Sequence, residues 1–324
     1  MIRFALAPVA NDERVSAPED VLPCFSRDLE DLMGEVSERV IGDLDRLVAD
    51  TALTRAIVAV KSLWRAHLVL GLAQRSGTLN PRHLDVAIAI ELLDIAFDTH
   101  LLGTLRTVGP HRIDAGIDEG AMILAGDYYL TRAAITALRS DRIETLRQVA
   151  AIMGAIPSGH ILELEKPNRP GGVIRKYVRS RRYLYGKVAV ACLRASLSES
   201  GIAEGGAARI DMLAALTASA INSRRDWIQR AANPLRPDWD MPLLVALRAQ
   251  PVERRAGFFE RIVSHSGHSE ALIEREIANT RALSTCGELA QHWASGAAAA
   301  LEDLFPASAI RHHIPAARAA TARP

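Results

Sequence analysis

The residues best suited to chemistry are Asp94, Asp98 and His100, which lie close together in the chain. Asp94 and Asp98 are four residues apart, so on a helix both carboxylates share one face. Such a pair could bind a metal ion, and either carboxyl group or His100 could act as a general acid. A carboxylate pair without an opposing cluster is a poor site for several ions. Both could instead accept buried hydrogen bonds or pair with a cation such as Arg132.

Histidines form a second group of metal-binding residue types. The segment Ser264–Ser269 holds two histidines three residues apart, a spacing that suits zinc. Glu270 is the one further ligand nearby, whereas structural zinc sites use four. The serine and glycine content of the segment therefore favours a polar loop, and the pair His312–His313 is interpreted in the same way.

The number and spacing of the cysteines indicate the redox compartment, and the length of the apolar runs bears on membrane insertion. The chain has 324 residues, with 39 lysines and arginines against 38 acidic residues. Cys24, Cys192 and Cys286 are odd in number and far apart, which fits neither a disulfide framework nor a cysteine metal site, so we expect a reducing cytoplasm. No apolar run approaches the roughly 20 residues that span a bilayer, and charged residues follow the short apolar N-terminus at once. We therefore expect neither a membrane span nor a cleavable export signal.

The most basic stretch is Arg175–Lys187, which contains six cations and three tyrosines. This composition could suit RNA or an anionic membrane surface, but a solvated helix face or a subunit contact would have the same composition. A net charge of +1 gives no long-range attraction to polyanions, and no nucleic-acid motif accompanies the stretch, so we expect no nucleic-acid partner. Glycine-rich phosphate loops are also absent from the sequence, which disfavours nucleotide folds.

Helical periodicity dominates the elements that must position these residues. From Leu29 to Leu47 apolar residues recur every three or four positions, as in an amphipathic helix. Residues 52–74 and 81–105 are apolar on more than one face, which is typical of helices inside a large bundle. We predict further helices over residues 118–138, 142–164, 173–197, 207–230, 242–249 and 270–304. No segment shows the period-two alternation of a half-buried strand.

The connections between these segments are short and rich in proline and glycine, as at Lys166–Gly172. None of them coincides with a change in composition, and 49% hydrophobic residues are enough for a large core. We therefore expect one all-α domain over residues 1–311, followed by a flexible tail over 312–324 that is rich in alanine, arginine and proline.

Five segments resemble, in order, motifs of the trans-isoprenyl diphosphate synthases, all-α enzymes that extend allylic diphosphates with isopentenyl diphosphate. The family motifs are a helix ending in His before a first Asp-Asp-x-x-Asp, Leu-x-Gly-Asp-Tyr-Leu, Lys-Thr-Ala, Leu-Pro-Leu-x-x-Ala-Leu, and a closing Leu-x-x-Leu-Pro. The matching residues are Ile90–Glu91 with Ala96 and His100, then Leu124–Leu130, Lys187–Ala189, Met241–Leu247 and Leu301–Pro306. The resemblance spans residues 55–311 and implies an isoprenoid-synthase-type bundle of ten or more helices around a central cavity.

The two metal-binding motifs of that family are missing. Family members hold three magnesium ions between two Asp-Asp-x-x-Asp clusters, and the ions neutralise the leaving diphosphate. Leucine and isoleucine offer no oxygen ligand and arginine reverses the charge, so we expect no metal and no cofactor here, with magnesium only in a catalytic partner. The resemblance places the six aspartate positions on Leu101, Leu102, Leu105, Arg224, Arg225 and Ile228.

Other family positions are partly retained. Lys61 alone matches the Lys-Arg-x-Arg-Pro motif for isopentenyl diphosphate, and Lys187 matches the lysine of Lys-Thr-Ala. The resemblance implies that a bulky Phe97 shortens the product, although without an active site it would only fill the core. Arg224 could bind a diphosphate without metal, or else form a salt bridge or lie in solvent. The candidate ligand-binding residues are therefore Lys61, Asp94, Phe97, Asp98, His100, Lys187 and Arg224.

The resemblance, together with the missing motifs, predicts a non-catalytic subunit, regulatory or structural, of a heteromeric trans-polyprenyl diphosphate synthase in isoprenoid biosynthesis. Its partner would be a catalytic subunit or a second copy of itself, contacted through residues 81–105 and 118–138, which are apolar beyond a single stripe. One alternative is a cyclase or transferase in which His100, Asp94 or Asp98 protonates an isoprenoid. Another is a stand-alone prenyl diphosphate binder anchored by Arg224.

Overall fold

The structure, a computed structural model, describes residues 29–45, 63–108, 119–166, 168–202, 207–232, 239–263 and 269–306. Every regular element in these ranges is helical, which confirms the all-α class. A π-helical segment, Arg182–Lys187, joins α6 to α7 without a break. In chain order the α-helices are α1 (Glu30–Asp45), α2 (Trp64–Arg75), α3 (Pro81–Val108), α4 (Glu119–Ala137), α5 (Ile143–Leu164), α6 (Pro170–Arg181), α7 (Val188–Ser200), α8 (Ala207–Ala232), α9 (Met241–Ala249), α10 (Val252–Val263), α11 (Ser269–Asn279) and α12 (Ala282–Leu304).

Two helix predictions need correction. Residues 270–304 form two helices because Arg281 adopts a left-handed conformation, with φ of 53°, between α11 and α12. A left-handed residue interrupts the hydrogen-bond ladder of a helix, and no glycine marks that position in the sequence. Helix α10 was not predicted at all, because its apolar face is narrow and reduces to Phe258, Phe259 and Ile262 among charged residues.

Helix α3 lies at the centre of the main core. Every residue from His83 to Ala96 except Asp85 is buried, with α1, α2, α4, α5 and α7 packed around the helix. A helix surrounded in this way needs apolar residues on all faces, which explains the pattern seen in the sequence. This part of α3 is therefore covered by the chain itself, and the expectation that it contacts a partner subunit is wrong for these residues.

Helix α4 does present apolar side chains to solvent. Its inner face packs against α3, whereas Leu124 and Ile135 on the outer face, and Leu138 just beyond the helix, are 69%, 49% and 68% exposed. Single exposed apolar residues are ordinary, but a row of them along one helix is typical of an interaction surface. Of the two helices predicted to contact a partner, α4 therefore exposes apolar side chains, whereas residues 83–96 of α3 do not.

A smaller apolar cluster lies beside the main core and is built from α6, α9, α10, α11 and the start of α12. Phe258 and Leu247 are fully buried there, and Trp239 stacks on Phe259 with ring centroids 5.8 Å apart. Among the helices that the structure describes, none combines the length and apolarity needed to span a bilayer.

Candidate functional site

The candidate site lies where α2, α3, the π-helical segment and α8 meet. Helix α3 supplies Asp94 and Asp98, and α8 supplies Arg224 and Arg225. Three long-range side-chain contacts connect the four elements, and they join Arg65 to Asp94, Trp64 to Tyr185, and Arg225 to Tyr185. The predicted acidic and basic candidates are therefore brought into one region, although they are far apart in the sequence.

Asp94 is bound to a cation of the same chain. Nη2 of Arg65 donates to Oδ1 of Asp94 at 2.5 Å, and Nη1 of Arg65 lies 3.7 Å from Oε2 of Glu91. Both acids and Arg65 are buried, and Glu91 also accepts a hydrogen bond from the backbone N–H of Ala66 at 2.9 Å. Burial would lower the pKa of Arg65, but the neighbouring Asp94 and Glu91 raise it above its usual value.

This arrangement gives Asp94 a structural role. A carboxylate that accepts a charge-assisted hydrogen bond from a buried guanidinium is stabilised in its ionised form by that partner. One alternative left open by the sequence was an ion pair with a cation such as Arg132, whereas Arg65 is the partner of Asp94. The sequence does not reveal this partner, because no local spacing links α2 to α3.

Trp64 and Tyr185 form a stacked pair between α2 and the π-helical segment. Their ring centroids are 5.8 Å apart with the planes inclined by 21°, and the guanidinium of Arg65 lies 4.6 Å above the Trp64 ring. The preceding residue, Leu63, has a left-handed φ of 42° and starts α2 at this point. A π-helical turn shifts the register of the following helix and is common near functional sites. Here the π-helical segment carries the buried Tyr185, which contacts Trp64 on α2 and Arg225 on α8.

Arg225 occupies one of the positions where the resemblance implies an aspartate. Its Nη1 donates a hydrogen bond to the Tyr185 hydroxyl. Tyr185 raises the pKa of Arg225 above its usual value, desolvation opposes this, and Asp226 and Asp98 add to the increase. The guanidinium therefore remains charged, is exposed to solvent, and is near enough to Asp98 for the two charges to interact. A permanent cation stands where the resemblance implies a metal ligand.

The other two positions of the second cluster are also without oxygen ligands. The Arg224 guanidinium lies 4.4 Å from the Trp227 ring centroid, as in a cation–π contact, and Ile228 is half-buried. The half-buried side chain of Arg224 is thus in contact with an aromatic ring of its own helix.

Asp226, which lies between the positions of the lost cluster, is part of a buried hydrogen-bond network. Its Oδ2 accepts from the Tyr177 hydroxyl at 2.7 Å and from the backbone N–H of Met241 at 2.9 Å. The amide nitrogen of Asn222 in turn donates to the Tyr177 hydroxyl at 2.6 Å. Burial and Asp226 raise the pKa of Tyr177. Asp226 thus ties α8 to α6 and to the start of α9.

His100 connects α3 to α4. Its Nε2 lies 3.1 Å from the carbonyl oxygen of Ile123 and 3.2 Å from Oδ1 of Asp127. Gly126 makes this possible, since a Cβ built there would lie 2.2 Å from Cδ2 of the imidazole ring. The two segments that the sequence analysis matched to separate family motifs are therefore in direct contact.

The remaining candidates are distributed around the fold. Phe97 is half-buried and packs against the main core, which fits its interpretation as a core residue. Lys187 is exposed, with its Nζ 3.9 Å from the Tyr183 ring centroid. Leu101 is half-buried on α3. Some candidates lie outside the residues that the structure describes. They are Lys61, the side chains of Leu102 and Leu105, the histidines of Ser264–Ser269 and of the C-terminal tail, and Cys24.

The residues of this region do not fit the magnesium cluster that the resemblance implies. Within the ranges that the structure describes, no three His, Cys, Asp or Glu side chains come together as a metal site. Magnesium needs several oxygen ligands in near-octahedral geometry. Asp94 is engaged by Arg65, and Arg225 lies beside Asp98, so the remaining acids have positive charge from the protein itself.

No protein-family model matches the chain, and no curated protein matches it either. Several solved structures, however, have a similar fold. A polyprenyl synthase from Caulobacter crescentus, complexed with calcium and isoprenyl diphosphate, gives a TM-score of 0.70 at 18% identity over 88% of this chain and 92% of that chain. A polyprenyl synthase from Roseobacter denitrificans gives 0.66 at 19% identity over 90% and 93%. A heptaprenyl diphosphate synthase from Staphylococcus aureus gives 0.66 at 14% identity over 86% and 92%.

These similarities establish the fold. The chain is an all-helical protein of the isoprenoid synthase architecture, and it spans nearly the whole length of each of these structures. More particularly, it has the fold of the trans-isoprenyl diphosphate synthases, as the sequence resemblance predicted. At this level of identity the fold alone is shared, and function must be argued from the residues.

Proposed function

We propose that this chain is a non-catalytic subunit of a heteromeric trans-polyprenyl diphosphate synthase, with a catalytic subunit that supplies both aspartate clusters and their magnesium ions. The observation that carries the proposal is that cations of the chain itself occupy the region where the resemblance implies magnesium ions. Arg65 binds Asp94, and Arg225 stands at a position where the resemblance implies a magnesium ligand.

Electrostatics explain why this region is a poor catalyst of the family reaction. A diphosphate leaves as an anion, and three divalent ions stabilise far more negative charge than one or two guanidinium groups do. A guanidinium beside Asp98 also repels any incoming magnesium ion. Meanwhile the packing of α2, α3 and α8 depends on apolar contacts and internal ion pairs, so the fold persists without metal.

The exposed outer face of α4 supports an assembly role. Leu124, Ile135 and Leu138, which are 69%, 49% and 68% exposed, lie on or next to this face. Burying such residues against a second subunit removes apolar area from water, which is the main driving force for stable association. We infer that this surface contacts the catalytic subunit.

The proposed setting is a reducing cytoplasm. Cys192 and Cys286 are both buried free thiols. Burial raises the pKa of Cys192 and raises that of Cys286 to about 12, which keeps both thiols protonated and unreactive. We also propose that residues 1–311 act as one domain in this assembly, with the remaining residues as a tail.

The test is reconstitution with an intact polyprenyl diphosphate synthase from the same organism. Each chain and the co-expressed pair are incubated with farnesyl diphosphate, labelled isopentenyl diphosphate and magnesium, and product lengths are resolved by chromatography. We expect no turnover by this chain alone and a change in product length or rate when it joins the synthase. An unchanged product distribution and rate, or turnover by the isolated chain, would refute the proposal.

The alternatives give different results in the same preparation. A stand-alone prenyl diphosphate binder purifies by itself as a stable species and binds farnesyl diphosphate without magnesium. A cyclase or transferase consumes an isoprenoid without isopentenyl diphosphate, and the product is then detected by mass spectrometry. Substituting Arg224→Ala abolishes binding in the first case and leaves subunit assembly intact in the proposed one.

A further inference from the structure

A groove on the outer face of the bundle, separate from the candidate site, has a volume of about 790 Å³. Helices α5 and α8 form its walls, and the π-helical segment and α7 form its floor. Val190 and Arg194 line the groove, whereas Cys192 on the opposite side of α7 is close to Arg65. Helix α7 therefore separates the groove from the region of Asp94 and Arg65.

The walls of the groove are built from small residues. The centre of the groove is wide because four of its lining residues are small. They are Ala151 and Gly154 on α5, Gly186 in the floor and Ala215 on α8. A Cβ added at Gly154 would meet no atom within 4 Å, although glycine inside a helix costs about 1 kcal/mol relative to alanine. By contrast, a Cβ at Gly159 on the same helix would lie 2.4 Å from Leu184. The internal packing of the chain therefore requires glycine at position 159 but not at position 154. At Gly154 the absence of a side chain instead lets a ligand approach the helix backbone closely from outside.

The rim of the groove carries an excess of positive charge. Arg182 and Lys187 line it and are exposed, and Arg175 and Arg179 are exposed on the turns of α6 that lead towards it. Positions 175, 179 and 182 are spaced by four and three residues, so they share one helix face. Arg194 is paired with Asp211 at 3.0 Å and adds little to the excess. The C-terminal end of the basic stretch, residues 182–187, therefore lines this groove.

We propose that the groove is the docking surface for an acidic amphipathic helix of a partner protein. The wall from Gln148 to Ser158 is about 15 Å long at 1.5 Å per residue, which matches about ten residues of a bound helix. Small apolar residues of that helix would face Gly154 and Ala215, and its acidic residues would reach Arg182 and Lys187. Apolar anchors in a groove with complementary charge at the rim are the usual mode of helix recognition.

Other ligands with negative charge fit less well. A flat bilayer surface can reach the rim but not the floor of a concave groove. RNA bases need a free aromatic face to stack on, and the Tyr183 ring is covered by Nζ of Lys187 at 3.9 Å. The proposal does not depend on the reaction of any partner, so it stands apart from the proposed function.

The experiment selects binders from a displayed library of 14-residue helical peptides with one randomised face, using the full-length chain as target. Two variants define the site. Gly154→Leu adds a side chain to the groove at a position where a Cβ meets no atom within 4 Å, and Arg182→Glu with Lys187→Glu reverses the rim charge. The matched controls are Gly34→Leu, where an added Cβ also meets no atom within 4 Å, and Arg254→Glu, an exposed cation on α10. Circular dichroism and thermal melting check that each variant is folded.

We expect the enriched peptides to carry Asp or Glu beside small apolar residues, and to bind Gly154→Leu and the charge-reversed variant at least about tenfold more weakly than the wild type and both controls. Failure to enrich peptides, enrichment without acidic bias, or equal binding to Gly154→Leu would overturn the proposal. Parallel arms use vesicles of phosphatidylglycerol in phosphatidylcholine and a single-stranded oligouridylate. Binding of either that survives Gly154→Leu and is lost on charge reversal would assign the rim to a membrane or RNA instead.

Discussion

Nη2 of Arg65 lies 2.5 Å from Oδ1 of Asp94 in the core of the bundle, where each residue is less than one-tenth exposed. The two residues come from helices α2 and α3 and are 29 positions apart. Asp94 was a candidate metal ligand by sequence, and the ion pair instead joins two core helices. The pair explains why a buried carboxylate is tolerated here without a metal ion, because the guanidinium of Arg65 neutralises its charge.

A double-mutant cycle measures this pair. Removing one partner leaves the other charge buried, so we expect Arg65→Met and Asp94→Leu each to lower the free energy of unfolding by about 3–5 kcal/mol. The double variant should cost less than the sum of the two, with a coupling of roughly 0.5–3 kcal/mol in urea denaturation. The control is the exposed pair Arg82 and Asp141, 2.8 Å apart, for which the coupling should be below about 1 kcal/mol. Additive effects at Arg65 and Asp94 would contradict the assignment.

Magnesium and pyrophosphate should leave the stability of the isolated chain unchanged. A ligand that binds the folded state at one hundred times its Kd adds about 2.7 kcal/mol of stability, whereas a region without oxygen ligands gains nothing. We expect the thermal midpoint to be the same with the two ligands together as with EDTA, measured by scanning calorimetry. An intact synthase treated identically serves as the positive control. A stabilised midpoint in this chain would show that a metal site exists.

The fold could be predicted from the sequence to a large extent, because helix periodicity and the order of family-like segments are local signals. The break at Arg281 and the helix α10 were missed, since the first has no glycine and the second has a narrow apolar face. The site was less predictable than the fold. The residue types at the positions where the resemblance implies ligands can be read from the sequence, whereas the partners of Asp94 and Arg225 come from distant helices and depend on packing.

The groove illustrates the same limit. The basic stretch Arg175–Lys187 is visible in the sequence, but its composition suits a ligand surface and a solvated helix face equally. The decision depends on α5 and α8, which place small residues opposite those cations from more than 20 positions away. No spacing within the stretch carries that information.

His83 should make the protein less stable in weak acid. It is fully buried, and its Nδ1 accepts a hydrogen bond from the backbone N–H of Asn80 at 3.3 Å, so Nε2 carries the proton and donates to the Ser196 carbonyl at 3.1 Å. Burial lowers its pKa below the ordinary value of 6.5, and the carboxylate of Glu199 offsets this in part. The unfolded chain therefore binds more protons than the folded chain just below pH 6.5, so stability falls as the pH falls.

Urea denaturation between pH 7.5 and 5 tests this, with an expected slope of up to about 1.4 kcal/mol per pH unit from this residue. His83→Gln should be less stable overall but should lose that part of the slope. His292→Gln, at an exposed position of α12, should retain it. If His83→Gln retains the full slope, another group is responsible.

Charge on the outer face of α4 should prevent assembly without unfolding the chain. We expect Leu124→Asp with Ile135→Asp to reduce co-purification with the catalytic subunit by at least about tenfold, because each carboxylate would be desolvated at an apolar contact. Both side chains are about half or more exposed, so the melting temperature should change little. The matched control, Val252→Asp on α10, alters a side chain that is 72% exposed and should leave assembly intact. Equal loss in the control would indicate a general effect of added charge.

Gly126 should be tolerant of alanine only when His100 is removed. In the native chain the new methyl group would overlap the imidazole, whose Cδ2 and Nε2 would lie 2.2 and 2.3 Å away, so the ring must swing out and lose its contacts with Ile123 and Asp127. We expect Gly126→Ala to cost about 1–2 kcal/mol for the lost hydrogen bond and displaced ring. In the His100→Ala background, the same substitution should stabilise by about 0.5–1 kcal/mol, since alanine favours a helix over glycine. Gly154→Ala, with open space around it, should be stabilising in either background, and a Gly126→Ala effect of the same sign with and without His100 would show that the two residues are not in contact.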